Sequence, residues 1–308
     1  MSILGKTLYA YKQIFGHGLN VAYYRDFVRK KILDTEPIAN TNSDCVEVHM
    51  LTSSGDLLNA LWSLKTFYCY SQKDYSLCIH DDGTFEDKDV ELFEYHFPDA
   101  RIIRRNFANT ATSEKLQGFP LLSKWRSENP FALKAVDFAT FSDCEKIVSL
   151  DSDILFFHNP DILIERIDSV KYRLNTLNKD WRYGYSPELE DLQAHVGFDV
   201  IPLINSGLGL IHRRSIVYEQ LEQYLSIPGI TSHPYGGRSE QSLFALSSCQ
   251  FGFEFLPSDY DVHLRDTPMG ISCRHYVSPI RHMMYGEGIK RLVKNGFFKD
   301  LNSLNLTN

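Results

Sequence analysis

Two carboxylates held two residues apart can share one divalent cation, and this sequence places aspartates at that spacing three times: at 87 and 89, 151 and 153, and 259 and 261. With 23 aspartates in 308 residues, chance alone supplies about 1.7 such triplets, so context has to choose between them. The first lies in a charged, helix-like stretch and reads as a solvated face, and the third follows Pro257 in a loop. Asp151-Ser-Asp153 differs, because Lys146-Ile-Val-Ser-Leu150 leads into it and Ile154-Leu-Phe-Phe157 leaves it. Carboxylates beside a buried strand are costly unless something compensates them. In extended backbone residues 151 and 153 point to one side and Ser152 to the other, so the two carboxylates converge on one spot. Hard oxygen donors converging in this way suit Mn²⁺ or Mg²⁺, with phosphate oxygens and water completing an octahedron. The competing structural reading is that both carboxylates cap the next turn.

The elements that must position this pair follow from the pattern around it. From Val46 onward, short apolar runs alternate with helical periodicity, the pattern of βα units on a mostly parallel sheet with flanking helices, an α/β class. Val46 to Leu51 reads as a strand ending at Thr52-Ser-Ser-Gly55, after which Leu57, Leu58, Leu61, Leu64, Phe67 and Tyr68 recur at helical spacing. Tyr75 to His80 is a second strand, Phe85 to Phe97 a helix, Arg101 to Ile103 a short strand and Phe131 to Phe141 a further helix. The carboxyl ends of strands in an open α/β sheet are where ligands bind, and Asp151 stands at such an end. Residues 171–199, irregular and polar, read as a long loop or lid beside the site. Val200 to Ile211 returns to strand character, and helices are expected over 213–225 and 241–247. Residues 1–43 read as an N-terminal helical extension, 44–291 as a single domain and 292–308 as a C-terminal tail.

Composition removes several function classes. Thirty-two basic against 39 acidic residues give a net charge of -7, and the pI is about 5.9, so no basic stripe is available for nucleic acid. No window approaches the roughly 18 uncharged apolar residues of a membrane span, and no secretory leader is visible, so a cytoplasmic location is expected. Six cysteines without a CxxC pair, in a chain long enough to be held by its core, read as buried thiols.

The run Lys146-Ile-Val-Ser-Leu-Asp-Ser-Asp-Ile-Leu-Phe-Phe157 resembles the Asp-x-Asp block of glycosyltransferases of the GT-A fold, specifically family 8, the glycogenin and lipopolysaccharide galactosyltransferase group. Ile204-Asn-Ser-Gly-Leu-Gly-Leu-Ile-His212 is similar to that family's Asn-Ala/Ser-Gly strand, Glu240-Gln-Ser-Leu243 to its Asp-Gln-Asp-Leu helix start, and His275-Tyr-Val-Ser-Pro-Ile-Arg281 to its C-terminal His-Tyr-x-Gly-x-x-Lys. The likeness spans residues 46–291 and departs from the pattern at Glu240, Ser242, Ser278 and Arg281, and in the first βα turn, Thr52 to Asp56. It implies a GT-A fold with a Rossmann-like nucleotide-binding half. The implied activity is transfer of a sugar from a nucleotide-sugar donor, a UDP-sugar above others, to a hydroxyl acceptor with retention of configuration. By the same resemblance Asp151, Asp153 and His275 hold Mn²⁺ or Mg²⁺, and Lys134 and Arg281 support the donor as cations. Thr52, Ser152, Asn205 and Ser206 border the donor, while Gln241 faces the anomeric centre with Glu240 as the nearest stronger nucleophile. The acceptor, whether glycan, lipid-linked or protein, is not implied.

Two readings compete. The departures at 240, 242 and 278 would suit a catalytically degenerate nucleotide-sugar or glycan-binding protein. Ile79-His-Asp-Asp-Gly-Thr84 resembles the Asp-x-Asp-Gly-Thr loop of haloacid dehalogenase-type phosphatases, although His80 stands where the nucleophilic aspartate would be.

Overall fold

The apolar run at Val46 becomes the interior of a seven-stranded sheet. In the computed structural model, which describes residues 11, 15–39, 42–265 and 270–304, strand β1 (Asn42–Thr52) pairs in parallel with β2 (Tyr75–Asp81) and with β4 (Lys146–Leu150). Strand β3 (Arg101–Ile103) adds in parallel at one edge, and β7 (Ile204–His212), β6 (Asn175–Lys179) and β8 (Phe253–Phe255) complete the order β3-β2-β1-β4-β7-β6-β8. Both edge strands are three residues long. Strand β7 alone runs against the rest, antiparallel to both β4 and β6. Its amino end therefore lies beside the carboxyl end of β4, and the Asp151 N–H donates to the Gly207 carbonyl at 2.8 Å.

A second, two-stranded sheet pairs β5 (Ile154–Phe156) with β9 (Cys273–His275) antiparallel, Ile154 opposite His275. Because β5 follows Asp153 directly, this pairing carries residue 275 back to the carboxylates from over a hundred positions away. Helices cover both faces of the large sheet. Leu57–Ser71 packs on one face, its apolar side chains in one core with Val48, Met50, Leu77 and Ile79, and Pro120–Glu128, Ala132–Phe141, Tyr218–Leu225 and Gly237–Phe251 cover the other. No helix of the described residues is long and apolar enough to cross a membrane.

Two expectations change. Residues 171–199 are not one loop, since they supply β6 inside the sheet and the helix Leu189–His195. The strand escaped detection because Asn175, Thr176 and Asn178 are polar yet wholly buried. Asn175 shows how such residues are tolerated: its amide donates to the hydroxyls of Ser215 and Ser248, and its oxygen accepts from the His212 N–H. The segment from 292 folds back as the helix Phe297–Leu304, with Phe297 buried against Trp62. At the other end, the described part of the extension is helical from Leu19 to Asp34 and docks through Ile32 and through the Trp62 indole, which donates to the Arg29 carbonyl. Residues 1–10, 12–14 and 40–41 of that extension, and 305–308 of the tail, lie outside the described residues.

Candidate functional site

Strand β4 stops at Leu150, and the chain turns through Asp151, Ser152 and Asp153 before β5, with the Ile154 N–H donating to the Asp151 carbonyl at 3.3 Å. The two carboxylates thus converge through a turn, where the sequence pattern had implied extended backbone. The turn arises because residue 151 leaves the ladder to pair with β7 and residue 154 starts a different sheet. The Tyr276 N–H closes the arrangement by donating to the Asp153 carbonyl at 2.8 Å.

His275 Nε2 lies 3.1 Å from Asp153 Oδ1 and 3.8 Å from Asp151 Oδ2, and one ligand atom from each of the three residues falls within 4.8 Å of the others. The orientation of the imidazole is fixed from behind. The Gly207 N–H donates to Asn205 Oδ1, which marks that atom as the oxygen, so His275 Nδ1 donates to it as well, at 3.1 Å. Asn205 Nδ2 in turn donates to Asp180. A histidine that gives one N–H to an outer partner and aims the other nitrogen at carboxylates has the second-shell geometry of a metal ligand. Two carboxylate oxygens and one imidazole nitrogen are a donor set that fits Mn²⁺ or Mg²⁺. Burial alone would lower the His275 pKa, but the neighbouring Asp153 and Asp151 outweigh it and raise it. The same balance runs the other way at Asp153, where burial is overcome by His275 and Arg281 and the carboxyl is held well below its usual range.

Two cations flank the pair. Lys134, on the helix Ala132–Phe141, is buried and donates to Asp151 Oδ1 at 2.8 Å and to the Ser206 carbonyl at 3.1 Å, with Glu240 Oε1 at 3.5 Å. These acids hold its pKa above the ordinary lysine value in spite of burial. Arg281 forks between Asp56, which it meets at 2.7 and 2.8 Å, and Asp153 Oδ2 at 2.7 Å. Glu240, near the start of the helix Gly237–Phe251, is buried, accepts from the Ser206 hydroxyl at 3.0 Å, and is pushed by burial up to about 6. Gln241 donates to Asp180 Oδ2 at 3.1 Å.

All of these groups line one cleft of about 720 Å³, with Thr52 and Ser152 in its wall and Trp181, Arg182, Tyr235 and Arg238 at its rim. Every site residue expected from the sequence, Thr52, Lys134, Asp151, Ser152, Asp153, Asn205, Ser206, Glu240, Gln241, His275 and Arg281, reaches this cleft. Thr52 Oγ1 is buried and meets no partner among the described residues. Missed were Asp56, which anchors Arg281, and Asp180, which orients both Asn205 and Gln241. Asp56 sat within the first βα turn as a departure from the family pattern, whereas Asp180 carried no signal of its own.

The phosphatase-like loop has no such geometry. His80 is buried against the Phe138 ring, and the Asp81 carboxylate accepts from the N–H groups of Gly83 and Phe85 at 2.7 and 3.0 Å. It ties down a turn. Asp89 likewise caps a helix, accepting from the Glu86 N–H.

Gly207 is the backbone position on which the cleft depends. A Cβ there would stand 2.8 Å from His275 Nδ1 and 2.9 Å from Asp151 Oδ2, closer than such contacts allow, so Gly207→Ala must displace His275 or Asp151. The expected outcome is weaker Mn²⁺ binding by about 10–100-fold, read by titration calorimetry on variant protein whose melting curve shows it is folded. Unchanged affinity would remove His275 and Asp151 from the ion site.

No protein-family model matches this sequence, and no curated protein matches it either. Solved structures do. Mouse xyloside xylosyltransferase 1 in its apo form superposes with a TM-score of 0.54 at 13% identity, over 76% of this chain and 98% of that one. The galactosyltransferase LgtC, solved with donor and acceptor sugar analogues, gives 0.53 at 16% identity over 83% and 95%. The bifunctional glycosyltransferase WbbM gives 0.53 at 12% identity over 87% of this chain and 53% of that one. The fold shared with these proteins is the GT-A glycosyltransferase fold.

Proposed function

We propose that this protein is a metal-assisted glycosyltransferase that moves a sugar from a nucleotide-sugar donor to a hydroxyl acceptor. The observation that carries the reading is the convergence of Asp151, Asp153 and His275 in a cleft where Lys134 and Arg281 form ion pairs with the two aspartates. As the donor bond breaks, negative charge develops on the leaving diphosphate and positive charge on the anomeric carbon. A bound Mn²⁺ or Mg²⁺ would act there as a Lewis acid on the diphosphate, held by the two aspartates and His275.

The chain's own residues do the rest. Arg281 presents a planar, permanently charged fork suited to phosphate oxygens, held ready by Asp56. Lys134 is fixed against Asp151 and adds a second positive charge. Asn205 and Ser206 offer polar groups toward the sugar. Gln241, held by Asp180, faces the anomeric centre, and Glu240 lies behind it with Ser206 and Lys134 as partners. Glu240, next to Gln241 on the helix Gly237–Phe251, is the nearest stronger nucleophile in this reading, and the transfer proceeds with retention. The donor is a UDP-sugar in this reading, and the rim residues Trp181 and Tyr235 suit the face of an acceptor sugar.

A second reading, binding without turnover, is favoured by one observation. The Ser242 hydroxyl is consumed in packing, exchanging hydrogen bonds with the backbone of Ser186, so the helix start offers one carboxylate instead of two. Purified protein offered a panel of nucleotide sugars with Mn²⁺ or with EDTA distinguishes the two. Mn²⁺-dependent release of nucleoside diphosphate from one donor supports the transferase. Saturable donor binding with no release under any acceptor supports the second reading. Hydrolysis of phosphate monoesters without metal would sink both.

A further inference from the structure

Strands β1 and β2 are in register with His49 opposite Cys78. Side chains two apart on a strand share a face, so Glu47, His49, Cys78 and His80 project together from the sheet, beneath Phe138 of the helix Ala132–Phe141. All four are buried. His49 Nδ1 and His80 Nε2 are 2.9 Å apart, Cys78 Sγ is 3.4 Å from the same His80 nitrogen, and His49 Nε2 is 2.9 Å from Glu47 Oε2.

Proton bookkeeping narrows what this cluster is. Arg101 donates to Glu47 Oε1 at 3.1 and 2.5 Å, so Glu47 is held as a carboxylate and only accepts. His49 therefore carries its proton on Nε2 and turns the Nδ1 lone pair inward. His80 donates from Nε2, and its Nδ1 is buried without a partner among the described residues. A carboxylate behind a histidine whose other nitrogen meets a second histidine, itself beside a thiol, is an arrangement that orients ligands around a metal ion.

We propose that His49 Nδ1, His80 Nε2 and Cys78 Sγ bind a thiophilic closed-shell cation, Zn²⁺ or Cu⁺, at a site separate from the cleft. Soft thiolate with imidazole selects such ions, whereas the cleft's carboxylates suit Mn²⁺ or Mg²⁺. Binding requires the Cys78 proton to leave to solvent and the His80 proton to move from Nε2 to Nδ1, so one proton is released per ion. Tetrahedral Zn²⁺ sets ligand separations of about 3.3 Å between nitrogens and about 3.6 Å from nitrogen to sulfur. The two histidine nitrogens, and Cys78 Sγ with His80 Nε2, reach these by opening a few tenths of an ångström, and all three ligand atoms lie within 4.8 Å of one another. The ion would tie β1 to β2 just before Thr52 and Asp82, which line the cleft.

The test uses chelator-stripped full-length protein under reducing, anaerobic conditions. Co²⁺, standing in for Zn²⁺, should give a near-ultraviolet thiolate-to-metal band that saturates at one equivalent and is bleached by Zn²⁺. In the other arm, the protein should withdraw one equivalent of Cu⁺ from a chromophoric chelator. Success in one arm identifies the ion. Asp153→Asn should keep the signal, and both Cys78→Ala and His80→Gln should lose it, each variant being checked for fold by circular dichroism. Wild-type protein silent in both arms, or a signal that survives Cys78→Ala, overturns the site whatever the variants' stability, and neither result bears on glycosyl transfer.

Discussion

Asp153→Asn is expected to lower kcat for sugar transfer by about 10³-fold or more, with a melting temperature close to that of the parent. The substitution keeps the volume and leaves an amide oxygen for Arg281. It removes the charge that faces both His275 Nε2 and the ion position. A metal on the leaving group supplies several kcal/mol of transition-state stabilisation, and each 1.36 kcal/mol is a factor of ten. EDTA should bring the parent down to the same residual rate and leave the variant nearly unaffected. A variant within tenfold of the parent at saturating Mn²⁺ would show that the pair does not hold the catalytic ion.

The largest effect on stability is expected away from the carboxylate pair. Arg126 donates to Asp137 in bidentate fashion, Nε to Oδ1 at 2.6 Å and a terminal nitrogen to Oδ2 at 2.7 Å, with both side chains buried. Removing one partner strands the other charge in the interior, so Arg126→Met should cost about 3–5 kcal/mol in a denaturant titration. Replacing both, as in Arg126→Met with Asp137→Leu, should recover most of that loss, because the pair's attraction mainly offsets its own desolvation. Asp137 stands one turn beyond Lys134 on the same helix, so the single variant should also impair donor binding before it unfolds. If the double variant is as unstable as the single, the pair contributes more than its own burial requires.

How much of this was legible in the sequence depended on how local the determinant was. Strand β4 and the helix Ala132–Phe141 fall where apolar runs and helical spacing put them, since burial on one face writes itself into the local pattern. Strand β6 did not, because three of its four buried residues are polar, with Asn175 satisfied by partners up to 73 positions away. In the site, the residues that match motifs all arrived in the cleft. The roles of Asp56 and Asp180 were not legible because each acts on a residue elsewhere in the chain, Arg281 and Asn205. The histidine and cysteine cluster was hidden in the same way, since His49 and Cys78 meet only through the register of two parallel strands.

The sheet's margins have a consequence for how copies of this chain meet. An edge of three residues presents a template only about 10 Å long, too short to seed strand-by-strand growth of one molecule's sheet onto another's. Arg101 on one margin adds a charge that a docking strand would have to desolvate. The sheet is thereby kept from edge-to-edge growth, and any association between folded copies is left to side-chain surfaces.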